Sequence, residues 1–566
     1  MTARTAEHRP ALRRRRFRHD DLIAVDLFSG FGGLTQGIER AGFTTIMAAN
    51  HNRYKVQVHE RNHPNAEHWV ADLINPEAAD YHSARDLPPA DLLVAGVTCT
   101  NHSQANTQKA YASTQSLFDL DDPDFDARVT KSERDRATAN CVLHYAAQHH
   151  PRMILIECTT ELYSWGPAIP GRPKVGDGST YTWWLKQFDL LGYKHRALYL
   201  NSMFFGVPQS RDRLYIAFWK RDLPTPDLEH RPEAWCGHCD RTVEARWSWK
   251  TGIPATGSVR YGKQYEYRCP SCRAPVVPPS TPSLVAIDLT DLGTRIGDKP
   301  VKKFKDGSTG PLAASTMARA ERCRQRFADF PAVLMPAKAM RGSERHPWQP
   351  LATQTSQQET SLLSTGALMV AAGHSYERPG SDCRSRGLDQ PLWTQPATNQ
   401  TGLITPPVAM AVDNYQGVPR GVDEALPTQG GSETLAVVSG VLPYRRNTTP
   451  AVHAESMPTV TAEQIPGLLS AAAVAARDTT VTLRAEWTAA LADLALEDCH
   501  FRMMGAHEVG RGCGFDVDFP GHKGGFTVWG SSRDQVDGFG NAVSPQVGEW
   551  IGGRLRAVLH REQVAA

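Results

Sequence analysis

Between Leu22 and about Trp219 the chain alternates short apolar runs with amphipathic stretches: "LIAVDLFSG", "FTTIMAAN", "DLLVAGVTC", "RMILIEC", "YKHRALYL" and "LYIAFW". The apolar runs have strand length, and the stretches between them have helical period. That rhythm predicts an α/β domain with a mostly parallel sheet and helices on both faces. From Pro224 to about Thr480 the rhythm is lost, and the chain becomes rich in Pro, Gly, Thr and Gln, the composition of a loop-rich, mixed β segment. Helical period returns in "EWTAALADLALEDCHFRMMGAHEVG" and lasts to the C-terminus. The pattern predicts a split domain, residues 20–222 and 485–562, interrupted by an insert at 223–484, with residues 1–19 as a disordered arm.

Inside the insert a turn-like unit recurs: "GPLAAST" at Gly310, "QPLATQT" at Gln349, "QPLWTQP" at Gln390, "ALPTQGG" at Ala425 and "SMPTVTA" at Ser456. Its spacing is roughly thirty to forty residues. Three of the gaps hold an apolar segment, "ALMVAAG", "VAMAVD" or "SGVLPY", so repeated β units with polar loops are expected over residues 305–470. A degenerate Pro-Thr turn with no shared function explains the same recurrence.

Composition adds bounds. The 566 residues suffice for two or more domains with a sizeable core. A formal net charge of +2 permits a nucleic-acid partner without announcing one. The dense basic block "RRRRFR", Arg13 to Arg18, reads as a solvated arm or as a DNA contact. No apolar run approaches the roughly 18 residues of a spanning helix. No signal-peptide core follows the basic start, so a cytoplasmic protein is expected. The 11 cysteines are an odd number scattered along a long chain, and two close C-x-x-C pairs among them point to metal binding or catalysis rather than a disulfide framework.

Candidate chemistry sits at the ends of the apolar runs. "DLFSGFGG", Asp26 to Gly33, joins a strand to the amphipathic "LTQGIERAGF" through a glycine loop, an order that lets backbone N–H groups cradle a nucleotide-like cofactor. Glycines kept for packing alone produce the same string. "VADLIN" sets Asp72 after a short run, as an acceptor for an adenine amino group or as an ordinary surface carboxylate. Cys99 ends "DLLVAGVTC" as a nucleophile or as a buried apolar cysteine. Glu157 closes "RMILIE" as a working carboxylate or as an ion-paired one at the sheet edge. In "QSRDR", Arg211 and Arg213 share a strand face, which suggests an anion clamp or a pair of solvated arginines.

In their order these segments resemble the DNA (cytosine-5) methyltransferase family. That family presents an F-x-G-x-G loop, a P-C loop, an E-N-V strand end, a Q-x-R-x-R segment, a variable target-recognition region and a G-N-[AS]-V helix. The corresponding strings are "FSGFG", "VTCTNHS", "IECTTE", "QSRDR", the insert and "GFGNAVSPQVGEWIG". The resemblance implies a class I methyltransferase-like (Rossmann-like) fold, S-adenosylmethionine as cofactor and double-stranded DNA as partner; no membrane or obligate protein partner is indicated. It assigns the cofactor to Phe28, Ser29, Gly30, Gly32, Gly33, His51, Asp72, Leu73, Asn541 and Val543.

The implied chemistry follows from cytosine. Carbon 5 is a poor nucleophile, so a thiolate, Cys99 here, first adds to carbon 6 and leaves enamine character at carbon 5. A carboxyl at ring nitrogen 3, the role implied for Glu157, promotes that addition. Arg211 is expected to orient the base or stabilise the anionic intermediate, with Arg213 supporting it. A stacked base hides carbon 6, so the target must be flipped out.

Four departures from the family pattern matter. Thr98 replaces the proline before the nucleophile, His102 replaces an aromatic, and Cys158 replaces the asparagine after the glutamate. His51 stands where an acidic residue usually meets the ribose, which removes a charge-assisted contact of about 1.5 to 3 kcal/mol. Altered flanks keep two other outcomes open: transfer of a group other than a plain methyl, or a modified cytosine as target, and a non-catalytic DNA-binding relative.

The insert carries a second candidate site. Cys236 and Cys239 in "CGHC", with Cys269 and Cys272 in "CPSC", have the spacing of a four-cysteine zinc ribbon, about residues 233–276, with His238 as a bystander. The ribbon either presents Arg246, Lys250, Arg260, Lys263 and Arg268 to DNA phosphates or serves as a structural staple.

Overall fold

A computed structural model of the chain describes residues 7–9, 21–97, 131–288, 291–304, 307–326, 332–336, 344–346, 349–354, 356, 360–364, 368–371, 385–387, 401–411, 435–441 and 495–565. Thr98, Cys99 and His102 lie outside the described residues, as does the block Arg13 to Arg18. The chain divides into two compact units: Met1–Thr281 with Thr353–Gln357 and Val509–Ala566, and Pro282–Ala352 with Gln358–Glu508.

The first unit is built on one eight-stranded sheet. Its strands are β1 (Glu7–Arg9), β2 (Ile23–Leu27), β3 (Thr44–Asn50), β4 (Glu67–Val70), β5 (Leu92–Gly96), β6 (Met153–Cys158), β7 (Tyr193–Asn201) and β8 (Asp212–Lys220), in the order β1-β4-β3-β2-β5-β6-β8-β7. Strands β2 to β6 pair in parallel, while β8 runs antiparallel to both β6 and β7. The strand order reverses between β2 and β5, so the carboxyl ends of these two strands open the crevice where such sheets bind ligands. The predicted class I methyltransferase-like architecture is thus present. One addition stands at its edge: within the basic arm, β1 pairs antiparallel with β4.

Period-two alternation explains why the sheet is covered on both faces. Leu93, Ala95, Ile154, Ile156, Leu214, Ile216 and Phe218 join one buried cluster; their strand neighbours Leu92, Val94, Met153, Leu155, Tyr215, Ala217 and Trp219 join the other. The first cluster takes Tyr145 from α3 (Lys131–His149) and Trp184 and Phe188 from α4 (Ser179–Leu190). The second takes Leu34 and Ile38 from α1 (Gly33–Arg40) and Val547, Ile551 and Leu555 from the C-terminal helix, α8 (Pro545–Ala565).

Two predicted boundaries shift. The ribbon, Glu233 to Val276, groups with the sheet rather than with the insert, and the chain rejoins the first unit at Val509 rather than near 485. The reason is packing: Ala234, Val243, Ala245, Val259, Tyr265 and Tyr267 lie in the same buried cluster as Trp184 and Phe218.

In the second unit, helix α5 (Ala314–Arg326) and an antiparallel sheet of Thr294–Arg295, His500–Met503, Thr360–Ser364 and Ala332–Pro336 enclose a small core around Met335, Leu363 and Cys323. A second antiparallel sheet joins Ser385–Gly387, Leu368–Ala371, Thr401–Ala411 and Leu435–Val441. Its last three members hold the apolar segments expected of the repeated β units. The Pro-Thr turn strings near 390, 425 and 456 lie outside the described residues.

Candidate active site and metal centre

After β2 the backbone turns through three left-handed residues, Phe28 at φ 61°, Gly30 at 55° and Gly32 at 84°. A phenylalanine in that region is strained by about 1 to 2 kcal/mol. The glycines of the loop do different jobs. A Cβ on Gly30 would meet only the Phe28 carbonyl at 3.9 Å, so space is open there. On Gly32 it would lie 2.6 Å from His63 Nε2, and on Gly33 2.0 Å from the carbonyl oxygen of Val543. Gly32 and Gly33 are therefore packing positions, and Val543 meets the loop through its backbone. Helix α1 has no side-chain cap at its N-terminus, and the buried Ser29 hydroxyl finds no hydrogen-bond partner among the described residues. Uncapped N–H groups and an orphaned hydroxyl at an open glycine form a cradle that fits the polar end of S-adenosylmethionine.

The other predicted cofactor residues divide. His51 is exposed beyond β3. Asp72 is buried, not an ordinary surface carboxylate, and its Oδ1 accepts from the backbone N–H groups of Ile74 and Asn75 at 2.9 and 3.2 Å. Leu73 is buried beside it, and its carbonyl accepts from the Cys141 thiol. Asn541 is exposed at the last position of α7 (Ser532–Asn541), which follows α6 (Ala506–Gly512); its amide donates to Asp537, so it is not a helix N-cap.

A buried polar chain under the glycine loop escaped the sequence reading. Thr35 donates to Asp26 at 2.5 Å and lies 3.0 Å from His59 Nε2, while His59 Nδ1 is 2.7 Å from His68 Nε2. His63 meets Glu39 at 2.8 Å. Burial pushes the Asp26 carboxyl up to about 7 and holds His59 well below the usual imidazole range. The available signal is His59 on α2 (Arg53–Asn62) and His63 one turn later at its C-terminal cap, beside a glycine that tolerates no Cβ.

On the other side of the crevice, Glu157 lies near the end of β6. The Val97 N–H donates to the Glu157 carbonyl at 3.0 Å, which extends the β5–β6 pairing to within two residues of Cys99. Arg213 Nε stands 3.1 Å from Glu157 Oε1, off the hydrogen-bond line, so the contact is an ion pair; the two side chains are 15% and 7% exposed. Arg211 is buried elsewhere: its Nη1 donates to the carbonyls of Gly540 at 2.8 Å and Gln354 at 3.0 Å. Arg213, not Arg211, is therefore the arginine paired with Glu157. Arg211 precedes the first residue of β8, beside the last turn of α7, whose unpaired carbonyls draw the guanidinium.

The four-cysteine cluster is assembled. Strand β9 (Glu233–Cys236) pairs with β10 (Arg241–Glu244), and β12 (Tyr265–Arg268) pairs with β11 (Arg246–Trp249) and β13 (Pro275–Val276). The two knuckles bring the Sγ atoms of Cys236, Cys239, Cys269 and Cys272 within 4.8 Å of one another, with Cys236–Cys272 at 3.5 Å and Cys239–Cys269 at 3.9 Å. Zn–S bonds of about 2.3 Å in a tetrahedron require S–S edges of about 3.8 Å. The donor set fits zinc, and His238 is exposed and outside it. Three of the five basic residues expected to face DNA are engaged by carboxylates: Arg246 by Glu229, and Lys250 and Arg268 by Glu266. That favours the staple over the phosphate-binding surface.

The family model for C-5 cytosine-specific DNA methylases matches residues 22–120 and 172–238. Over those two segments the chain is similar to these methylases. The Type II methyltransferase M.NgoBI of Neisseria gonorrhoeae is 26% identical over 226 residues, 39% of this chain and 59% of its own length. M.NlaX of Neisseria lactamica is 27% identical over 204 residues, 35% and 53% of the two lengths. The chain thus spans little more than half the length of these curated relatives. Among solved structures, the S. pombe Dnmt2 methyltransferase aligns over 95% of this chain and 99% of its own at 10% identity and a TM-score of 0.37. Both segments matched by the methylase model begin in the sheet unit: the first runs from β2 past Cys99, the second from before α4 through β8 into the first C-x-x-C pair. Glu157 and Asn541 fall outside both segments.

Proposed function

We propose that this methylase relative transfers a methyl group from S-adenosylmethionine to carbon 5 of a flipped cytosine in double-stranded DNA, with Cys99 as the nucleophile. The observation that supports this most is the Glu157–Arg213 ion pair, at 3.1 Å, beside the backbone that leads into Cys99. The Cys99 thiolate forms the bond to carbon 6, and the electron pair of the 5,6 double bond moves toward carbon 5. Glu157 holds a proton at ring nitrogen 3, and Arg213, rather than Arg211, stabilises the developing negative charge and orients the carboxyl. Arg211 fixes the end of α7 next to Asn541. Bound at the glycine loop, the cofactor supplies an electrophilic methyl group. Loss of the carbon 5 proton then releases the thiolate and restores the ring. Zinc in the ribbon is structural in this reading.

The test is covalent trapping. In mixed-sequence duplex DNA with 5-fluorocytosine at every cytosine, the carbon 5 fluorine cannot leave as a proton does, so the adduct persists. Wild type should form it in the presence of cofactor, and Cys99→Ala should form none. Absence of an adduct on DNA that the protein demonstrably binds would overturn the enzyme reading. Nucleoside mass spectrometry of co-expressed DNA should show 5-methylcytosine. Cys158, buried where the family places asparagine, favours inspecting those nucleosides for another carbon 5 substituent, which would replace methyl in this proposal.

A further inference from the structure

We infer that the four-cysteine ribbon is a positioning device for the Glu157–Arg213 pair, gripping the sheet at Asp212 and at Thr160. This rests on the function proposed above. Neighbours on a strand project to opposite faces. Arg213 shares its face with Tyr215 and Ala217, whereas Asp212 shares the face of Leu214 and Ile216, which is the face the ribbon covers. There the buried Tyr265 hydroxyl donates to Asp212 Oδ1 at 3.0 Å and the Tyr261 N–H donates to the same oxygen at 3.1 Å. The residue that launches Arg213 toward Glu157 is thus pinned from behind.

The second grip reaches the glutamate. The Val259 N–H donates to Thr160 Oγ1 at 3.0 Å, three residues beyond Glu157. Gly257, at φ 70°, lets the loop pass so close that a Cβ would lie 3.0 Å from the Glu161 Cα. Gly257, Val259, Tyr261 and Tyr265 all lie between the two C-x-x-C pairs, so closing the cysteine cluster fixes the segment that makes both grips. A staple serving stability alone has no need to meet both motifs. Trp247 adds a third polar contact, Nε1 to the Tyr199 carbonyl at 3.1 Å, on the strand next to β8. Buried hydrogen bonds are directional, so loosening them changes the angle at which Arg213 and Glu157 leave the sheet, and small misplacements of catalytic groups are costly in rate.

The experiment uses the full chain with Tyr265→Phe, Thr160→Val and Thr160→Ser. Tyr265→Phe and Thr160→Val should each lower kcat and the rate of 5-fluorocytosine trapping by about tenfold, with the KM for S-adenosylmethionine within about twofold and zinc content unchanged. Thr160→Ser keeps the acceptor hydroxyl and should retain the wild-type rate. Wild-type kcat in both disruptive variants, or a Thr160→Ser variant as slow as Thr160→Val, overturns the inference. So does a kcat loss matched by loss of cofactor binding or zinc, which marks general unfolding. Hydrogen exchange separates the two claims: if wild type traps nothing, the functional reading fails. Faster exchange at Glu157–Thr160 and Asp212–Leu214 in the variants still reports the grip, and unchanged exchange there refutes it.

Discussion

The sheet and the ribbon share one compact unit and one buried cluster, yet different forces hold them. The sheet buries apolar residues on both faces, with Trp184, Phe188, Phe218 and Ile551 fully enclosed. The ribbon has five strands of two to four residues, and its exposed side carries Trp235 at 58% and Trp249 at 40%. Strands that short cannot enclose a core of their own, so the ribbon leans on the sheet with one side and depends on its cysteines for the rest. The difference teaches where each region is fragile: one to a methyl group in the wrong place, the other to disruption of its four-cysteine cluster.

Metal removal breaks the comparison most sharply. Structural zinc supplies about 10 to 16 kcal/mol of apparent binding free energy in small zinc domains. Cys269→Ser, or chelation, should abolish a stoichiometry of one zinc per chain and open the amides of β9 to β13 to exchange, while β5, β6 and β8 stay protected. A folded ribbon in metal-free protein would show that apolar burial suffices there too.

The glycines probe the packing-held side at a smaller scale. Gly33→Ala places a methyl group 2.0 Å from the Val543 carbonyl, a clash that only movement of α1 or α8 relieves. Overpacking of that kind costs about 3 kcal/mol. Gly30→Ala meets open space and carries only the left-handed backbone cost of about 1 to 2 kcal/mol. Urea denaturation should rank the two variants in that order. Equal losses would mean that backbone strain, not close packing, governs the loop.

The same contrast explains what could be read from the chain. Strands were legible because "DLLVAG" and "RMILIE" are apolar on both faces, which a sheet covered twice requires. The glycine loop and the C-x-x-C pairs were legible because each is a local string with a local physical purpose. The attachment of the ribbon was not: Asp212 meets Tyr261 and Tyr265 across 49 and 53 residues, and nothing in "QSRDR" marks its aspartate as a partner of tyrosines. The split of the arginines was equally hidden, because Arg211 is claimed by carbonyls of Gly540 and Gln354, brought in from 329 and 143 residues away. Spacing shows which side chains share a face, but not what waits there.

The smallest effect is a pH dependence that differs at the two places. Asp26 is raised from 3.8 to about 7 by burial, so the folded chain retains a proton that the unfolded chain has lost. Its contribution to stability is present in full below 3.8 and is lost as pH rises through about 7. His59 has the opposite sign: burial keeps it neutral, so its contribution is present above 6.5 and is lost as pH falls. Between these limits the two slopes, each at most about 1.4 kcal/mol per pH unit, oppose one another. Asp26→Asn removes one side of the balance, and urea midpoints between pH 5 and 6.5 should then fall toward acid more steeply than in wild type. Asp212, in the ribbon seam, is raised by burial to about 6 and has no buried histidine among its hydrogen-bond partners. Its contribution is present below 3.8 and lost as pH rises through about 6, so Asp212→Asn should tilt the profile in the same direction as Asp26→Asn, toward greater relative stability at higher pH, but from a wild-type slope that no buried histidine opposes at that seam. If instead Asp26→Asn leaves the profile unchanged while Asp212→Asn tilts it, the carboxyl under the glycine loop is not held protonated by the fold, and the two places differ in more than the opposing histidine.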